Sequence, residues 1–104
     1  MKFLVFTLPS EDALKNPPSA AQFNAQTDWF RQRLADGTLD CAYHGDSRAV
    51  FIFNAASAEQ LERLIETIPL ANLMQRKIEP LIDLFEHTDR VSGYLRGLDP
   101  TQGR

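Results

Sequence analysis

The chain has 104 residues, 43% of them hydrophobic and 24% charged, with a formal net charge of −3 at pH 7. That size and balance describe one soluble globular domain, and the acidic pI near 5.2 argues against nucleic acid or an anionic membrane as a partner. The single cysteine, Cys41, excludes an internal disulfide and any multi-cysteine metal site, and it fits a reducing cytoplasm.

Phe3–Leu8 predicts a first strand that is apolar on both sides, with Phe3, Val5 and Thr7 on one face and Leu4, Phe6 and Leu8 on the other. It ends at Pro9 and is too short for a signal-peptide core or a membrane span. Pro9–Pro18 reads as a loop. Ser19-Ala20-Ala21-Gln22 then matches a capping box, in which Ser19 and Gln22 satisfy each other's backbone amides. The helix it opens carries Phe23, Thr27, Phe30 and Leu34 on one stripe and stops at Gly37. Trp29 lies beside that stripe, where a subunit contact is expected. Thr38–His44 predicts a second strand, with Leu39, Cys41 and Tyr43 on one face and Asp40 and His44 on the other. His44–Ser47 turns the chain into Ala49–Asn54.

Ala49–Asn54 has no polar face until its last residue: Ala49, Phe51 and Phe53 point one way, Val50 and Ile52 the other. Ser57-Ala58-Glu59-Gln60 repeats the capping pattern, and Leu61, Leu64, Ile65 and Ile68 follow at helical spacing until Pro69. Lys77–Leu84 alternates again, with Pro80 confining that strand to an edge or a bulge. The order βαββαβ folds most simply as an α+β, ferredoxin-like sandwich over residues 1–86. In that sandwich the two doubly apolar strands are central, and 87–104 trails as a tail. Helices cover one face of such a sheet. A second copy of the chain is the expected cover for the other face, making a homodimer or larger with a pocket between the copies.

Gln32-Arg33-Leu34-Ala35-Asp36-Gly37-Thr38, the strand Val50–Asn54 leading into Ser57–Leu61, and Ile68-Pro69-Leu70 with Met74 just beyond resemble the muconolactone isomerase family. The resemblance runs from about Asn16 to Leu81. It implies the dimeric α+β barrel fold. It also implies a reaction that moves a double bond within a small unsaturated lactone by proton transfer, with no metal or organic cofactor. The expected partners are therefore a small organic molecule and the chain itself.

Such chemistry needs a base that titrates near neutrality and a donor for the developing enolate oxygen. His44 is the leading candidate, against the plainer alternative of an exposed turn histidine. Tyr43 and Glu79 complete the candidate catalytic set. Arg48 could hold a carboxylate in a bidentate pair, and Cys41 and Asp83 could line a binding site. No phosphate loop, nucleophile elbow, His-x-x-x-His pair or Cys-x-x-Cys occurs. Two alternatives remain beside the isomerase-like enzyme: a non-catalytic ligand-binding or oligomerisation module, and a cofactor-independent oxygenase on the same fold.

Overall fold

The computed structural model of the chain describes residues 1–98. Four strands form one antiparallel sheet in the order β2-β3-β1-β4: β1 is Lys2–Pro9, β2 Leu39–His44, β3 Ala49–Asn54 and β4 Met74–Leu81. The helices are α1 (Glu11–Lys15), α2 (Ala20–Asp36), α3 (Ala58–Ile65) and α4 (Leu84–Leu98). This is the α+β, ferredoxin-like arrangement, with the doubly apolar β1 and β3 in the middle and the proline-bearing β4 on an edge.

The two faces of the sheet differ in what covers them. Phe3, Val5, Phe51 and Phe53 point to the helices and are buried, together with Leu39, Leu61, Ile65 and Ile68. Burying each such side chain contributes about 1.5–3 kcal/mol. Phe30 of α2 stacks on Phe51 at 4.7 Å between ring centroids, and Trp29 meets Phe30 edge-on at 5.2 Å. Trp29 therefore packs on the chain's own core rather than standing free for a subunit contact. Its Nε1 donates to Thr67 Oγ1 at 3.1 Å, which ties α2 to the end of α3. The opposite face of the sheet presents Leu4, Phe6, Val50 and Ile52, each half-buried with no helix over them.

Local chemistry sets the boundaries. At the start of α2 the capping box is complete: Gln22 N–H donates to Ser19 Oγ and Ser19 N–H to Gln22 Oε1. Gly37 closes that helix at φ 82°, a left-handed conformation costly for any side chain with a Cβ. At α3 Ser57 caps Gln60 N–H, whereas the Gln60 side chain reaches Ala56 N–H instead of completing a box. Beyond Ile65 the chain tightens through bonds from Thr67 and Ile68 to the third residue back, and Ile68 stays buried although it lies past the helix.

Four expectations change. The Pro9–Pro18 loop contains the one-turn helix α1, capped by Ser10, which is too short to show a sequence period. β4 begins at Met74 and ends at Leu81, three residues earlier than expected, because Arg76 occupies a helix-facing position. There it pairs with Glu62 of α3 at 2.9 Å, so a charged residue stands where an apolar one is looked for. β2 carries a bulge at Asp40: Leu39 pairs with Phe53 but Cys41 pairs with Ile52. That extra residue separates Leu39 from Cys41 and Tyr43, and it puts Leu39, Ala42 and His44 on the helix face. Finally, residues 87–98, expected to trail as a tail, continue α4, and every residue of that helix is exposed. Residues 99–104 lie outside the described residues.

At the far end of the open face Lys2, Asn54 and Asp40 link the three strands β1, β3 and β2. Lys2 Nζ donates to Asp40 and to Asn54 Oδ1, and Asn54 Nδ2 donates to Asp40 Oδ1 at 2.6 Å. The hydrogen bond from Lys2, then that from Asn54, hold the Asp40 carboxyl below its ordinary value. A carboxyl lowered in the folded state stabilises the fold above its unfolded pKa and loses that contribution as pH falls through the folded one. Wild type is therefore expected to exceed Asp40→Asn in thermal midpoint at neutral pH. The gap should close on acidification below about pH 4, as followed by circular dichroism melts. A gap independent of pH would show that the carboxylate charge contributes nothing.

Candidate functional site

A cavity of about 610 Å3 lies between the sheet and the first two helices. Its volume is in the range of small-molecule sites. It sits where β1 ends, β2 ends, β3 begins and β4 begins, so Thr7, His44, Phe51 and Met74 border it from the sheet. From above it is bounded by Leu14 of α1 and by Phe23, Thr27, Phe30 and Leu34 of α2. The stripe of α2 that reads as a core face therefore roofs a cavity. No α2 residue is fully buried, and Phe23 remains 56% exposed. The lining is largely apolar, and among the described residues its one permanently charged side chain belongs to Arg31.

His44 reaches this space because of the bulge at Asp40. It pairs with Ala49 across the β2–β3 hairpin, and Ala49 is on the helix face with Phe51 and Phe53. The His44 Nδ1 lies against the Gly45 carbonyl. A carbonyl only accepts, so this contact assigns the proton to Nδ1 in a neutral ring, an assignment that would leave Nε2 as the acceptor. Gly45 N–H in turn donates to Arg48 O at 2.8 Å, which closes the hairpin beneath the imidazole.

The other sequence candidates divide between two sides of the sheet. Tyr43 borders the same cavity but is 72% exposed. Glu79 faces the uncovered side opposite Leu4 and pairs with Lys77 at 3.2 Å. Cys41 is half-buried, opposite Ile52 on that side. Arg48 lies over the Phe6 ring at 4.7 Å, a cation–π contact on the same uncovered side. Asp83 falls beyond β4 and caps α4, accepting from Phe85 N–H at 2.9 Å and from Glu86 N–H. The structure thus brings His44 to the cavity from the helix face, leaves Tyr43 only at its exposed rim with its strand position on the uncovered face, and sets Glu79, Cys41, Arg48 and Asp83 away from it. Among the described residues, no group of three His, Cys, Asp or Glu side chains could hold a metal ion.

Polar residues not singled out from the sequence also line the cavity. Thr7 is the one polar side chain in the buried set, at 7% exposure. A hydroxyl amid the apolar run Phe3–Leu8 is a signal the sequence did carry. Thr27 Oγ1 donates to Phe23 O at 3.1 Å and keeps its acceptor capacity. Gln26 lines the cavity from α2 between these groups. Nothing in a helix of mixed polarity marks it out in advance.

This fold is that of a family of small-molecule enzymes. The chain belongs to the muconolactone delta-isomerase family, whose model matches residues 1–87. Among solved structures it is similar to 5-chloro-2-hydroxyhydroquinone dehydrochlorinase of Burkholderia phenoliruptrix AC1100, solved in complex with 2,5-dihydroxybenzoquinone. The TM-score is 0.62 at 14% identity, over 83% of this chain and 98% of that one. At that identity the likeness speaks for the fold, that of the dimeric α+β barrel group. No curated protein matches the chain in sequence.

Proposed function

We propose that the chain is a cofactor-free enzyme that moves a proton within a small oxygenated ring, a lactone or related organic acid, bound in the cavity beneath α2. The observation that carries this reading is His44, exposed at the cavity mouth, with its Nδ1 against the Gly45 carbonyl. In the proposed step Nε2 takes a proton from the saturated carbon at the far end of the conjugated lactone, and the C–H electron pair moves through the double bond into the carbonyl as an extended enolate. The imidazolium then returns the proton at the carbon next to the carbonyl, so the double bond shifts and no atom is gained or lost. The family to which the chain belongs supports the same chemistry.

The working unit in this reading is a homodimer in the cytoplasm. The apolar face bearing Leu4, Phe6, Val50 and Ile52 lacks a cover in the single chain, and contiguous patches of that kind mark interaction sites. Along α4, Leu84, Val91, Leu95 and Leu98 stay exposed on one stripe, which adds to the surface that a second copy would cover. Among the described residues no helix is long and apolar enough to cross a membrane.

The test is proton exchange. With muconolactone in deuterium oxide, the protein is expected to accelerate loss of the proton signal on the saturated ring carbon, entry of deuterium next to the carbonyl and the appearance of the shifted double bond, all read by proton NMR. No exchange above the buffer rate, with this lactone and with other unsaturated five-membered lactones, would end the proton-transfer reading.

A further inference from the structure

Thr7 is buried in the sheet, yet its hydroxyl has no structural task. Among the described residues its Oγ1 makes no hydrogen bond, and it is not one of the unpartnered side-chain atoms sealed from water. Water can therefore reach it, and at this helix-facing position the open space is the cavity that Thr7 lines. Its place in the sheet is as informative as its chemistry. Thr7 pairs with Ala49, and Ala49 pairs with His44, so the three stand in one row across β1, β3 and β2. Alanine in the middle leaves a gap in the cavity floor, with a hydroxyl at one end and an imidazole at the other. Thr7 and His44 are two strand spacings apart, about 10 Å. Strand side chains stand roughly perpendicular to the sheet, so that width carries up into the cavity. One small ring with a contact of about 3 Å at each end fills it.

We infer that Thr7 is a catalytic residue of this site: its Oγ1–H donates to the carbonyl oxygen of a ring held over Ala49 and stabilises the extended enolate, while His44 carries the proton from carbon to carbon. This inference rests on the cavity being the reaction site, as proposed above. The other hydroxyl groups at the cavity are worse placed, since Thr27 commits its proton to Phe23 O and Tyr43 stands at the exposed rim. A neutral hydroxyl suits the task. It binds the ground-state carbonyl as an ordinary acceptor, and the bond strengthens as negative charge grows on that oxygen. No proton leaves Thr7 in the step. The row also orients the ligand: Thr7 is at the closed end and His44 at the open one. The carbonyl therefore enters first, and the carbon that loses its proton stays near the mouth. The ligand class is a small, flat unsaturated lactone whose substituents sit on that outer carbon rather than beside the carbonyl.

Thr7→Val removes the hydroxyl at nearly constant shape, and Thr7→Ser keeps it. With muconolactone in deuterium oxide, wild type and Thr7→Ser are expected to move deuterium into the ring at similar rates. In Thr7→Val turnover should fall about 10²–10³-fold, the usual loss for one oxyanion donor, with a far smaller change in KM. Stability should not follow activity. Because the hydroxyl bonds nothing in the chain, Thr7→Val is expected to melt at or above the wild-type temperature, as read by circular dichroism. A Thr7→Val protein that keeps most of the exchange rate, or a Thr7→Ser protein that loses as much as Thr7→Val, would overturn the role of Thr7 and leave the cavity reading standing. A Thr7→Val melt clearly below wild type would also overturn it, since the hydroxyl would then be holding the fold, and that measurement needs no substrate. No exchange by wild type would remove the inference together with the proton-transfer reading.

Discussion

Ile52→Asp is expected to convert the protein from dimer to folded monomer. Ile52 sits in the middle of β3 on the uncovered face, opposite Leu4 on one side and Cys41 on the other. In a single chain an aspartate there can reach water. In a two-fold dimer joined through that face, two carboxylates would be desolvated near each other, at a cost of several kcal/mol each. The dissociation constant should therefore rise by about 100-fold or more. Sedimentation equilibrium at micromolar concentration reads the assembly, and circular dichroism confirms that the variant folds. The neighbouring Phe53 is the contrasting position: it is 1% exposed and faces the helices, so aspartate there should unfold the chain. A wild-type protein that sediments as a monomer would refute the assembly, as would an Ile52→Asp protein that still dimerises.

His44→Gln should lower turnover about 10²–10⁴-fold, the usual loss on removing a general base, with fold and assembly unchanged. Glutamine keeps much of the imidazole's length and can still donate to the Gly45 carbonyl, but it cannot take up a proton from carbon at neutral pH. The readout is the rate of deuterium entry into the lactone ring, with a thermal melt as the control for folding. A variant that keeps most of the wild-type exchange rate would return His44 to the role of a hairpin residue and separate the cavity from any base.

Much of this fold is legible because it is written locally. Ser19 with Gln22, Ser57, Gly37 and the apolar run Ala49–Phe53 each act within a few residues, and each appears in the structure where the chain places it. The start of β4 is less legible, because Arg76 points inward only by virtue of Glu62 on a different element. α4 hides for another reason. Leu84, Val91, Leu95 and Leu98 have helical spacing, but Gly93 and Gly97 lower the helix propensity of the same segment. The cavity is not legible at all. Phe23, Thr27, Phe30 and Leu34 make the same stripe whether they meet a filled core or an open space, since periodicity reports which way a helix faces and not how far away its neighbour lies.

The bulge at Asp40 acts as a parity switch in β2. Successive strand residues alternate between faces, so every side chain after the extra residue is offset by one position from the side chains before it. A chain one residue shorter between Leu39 and Cys41, with the hairpin kept in place, would have to choose. Either Leu39 leaves the core, or the following residues turn over and Tyr43 enters the cavity while His44 goes to the uncovered face. Insertions and deletions in this strand are thus exchanges of the cavity's chemistry, imidazole for phenol, made without substituting a single residue at the mouth.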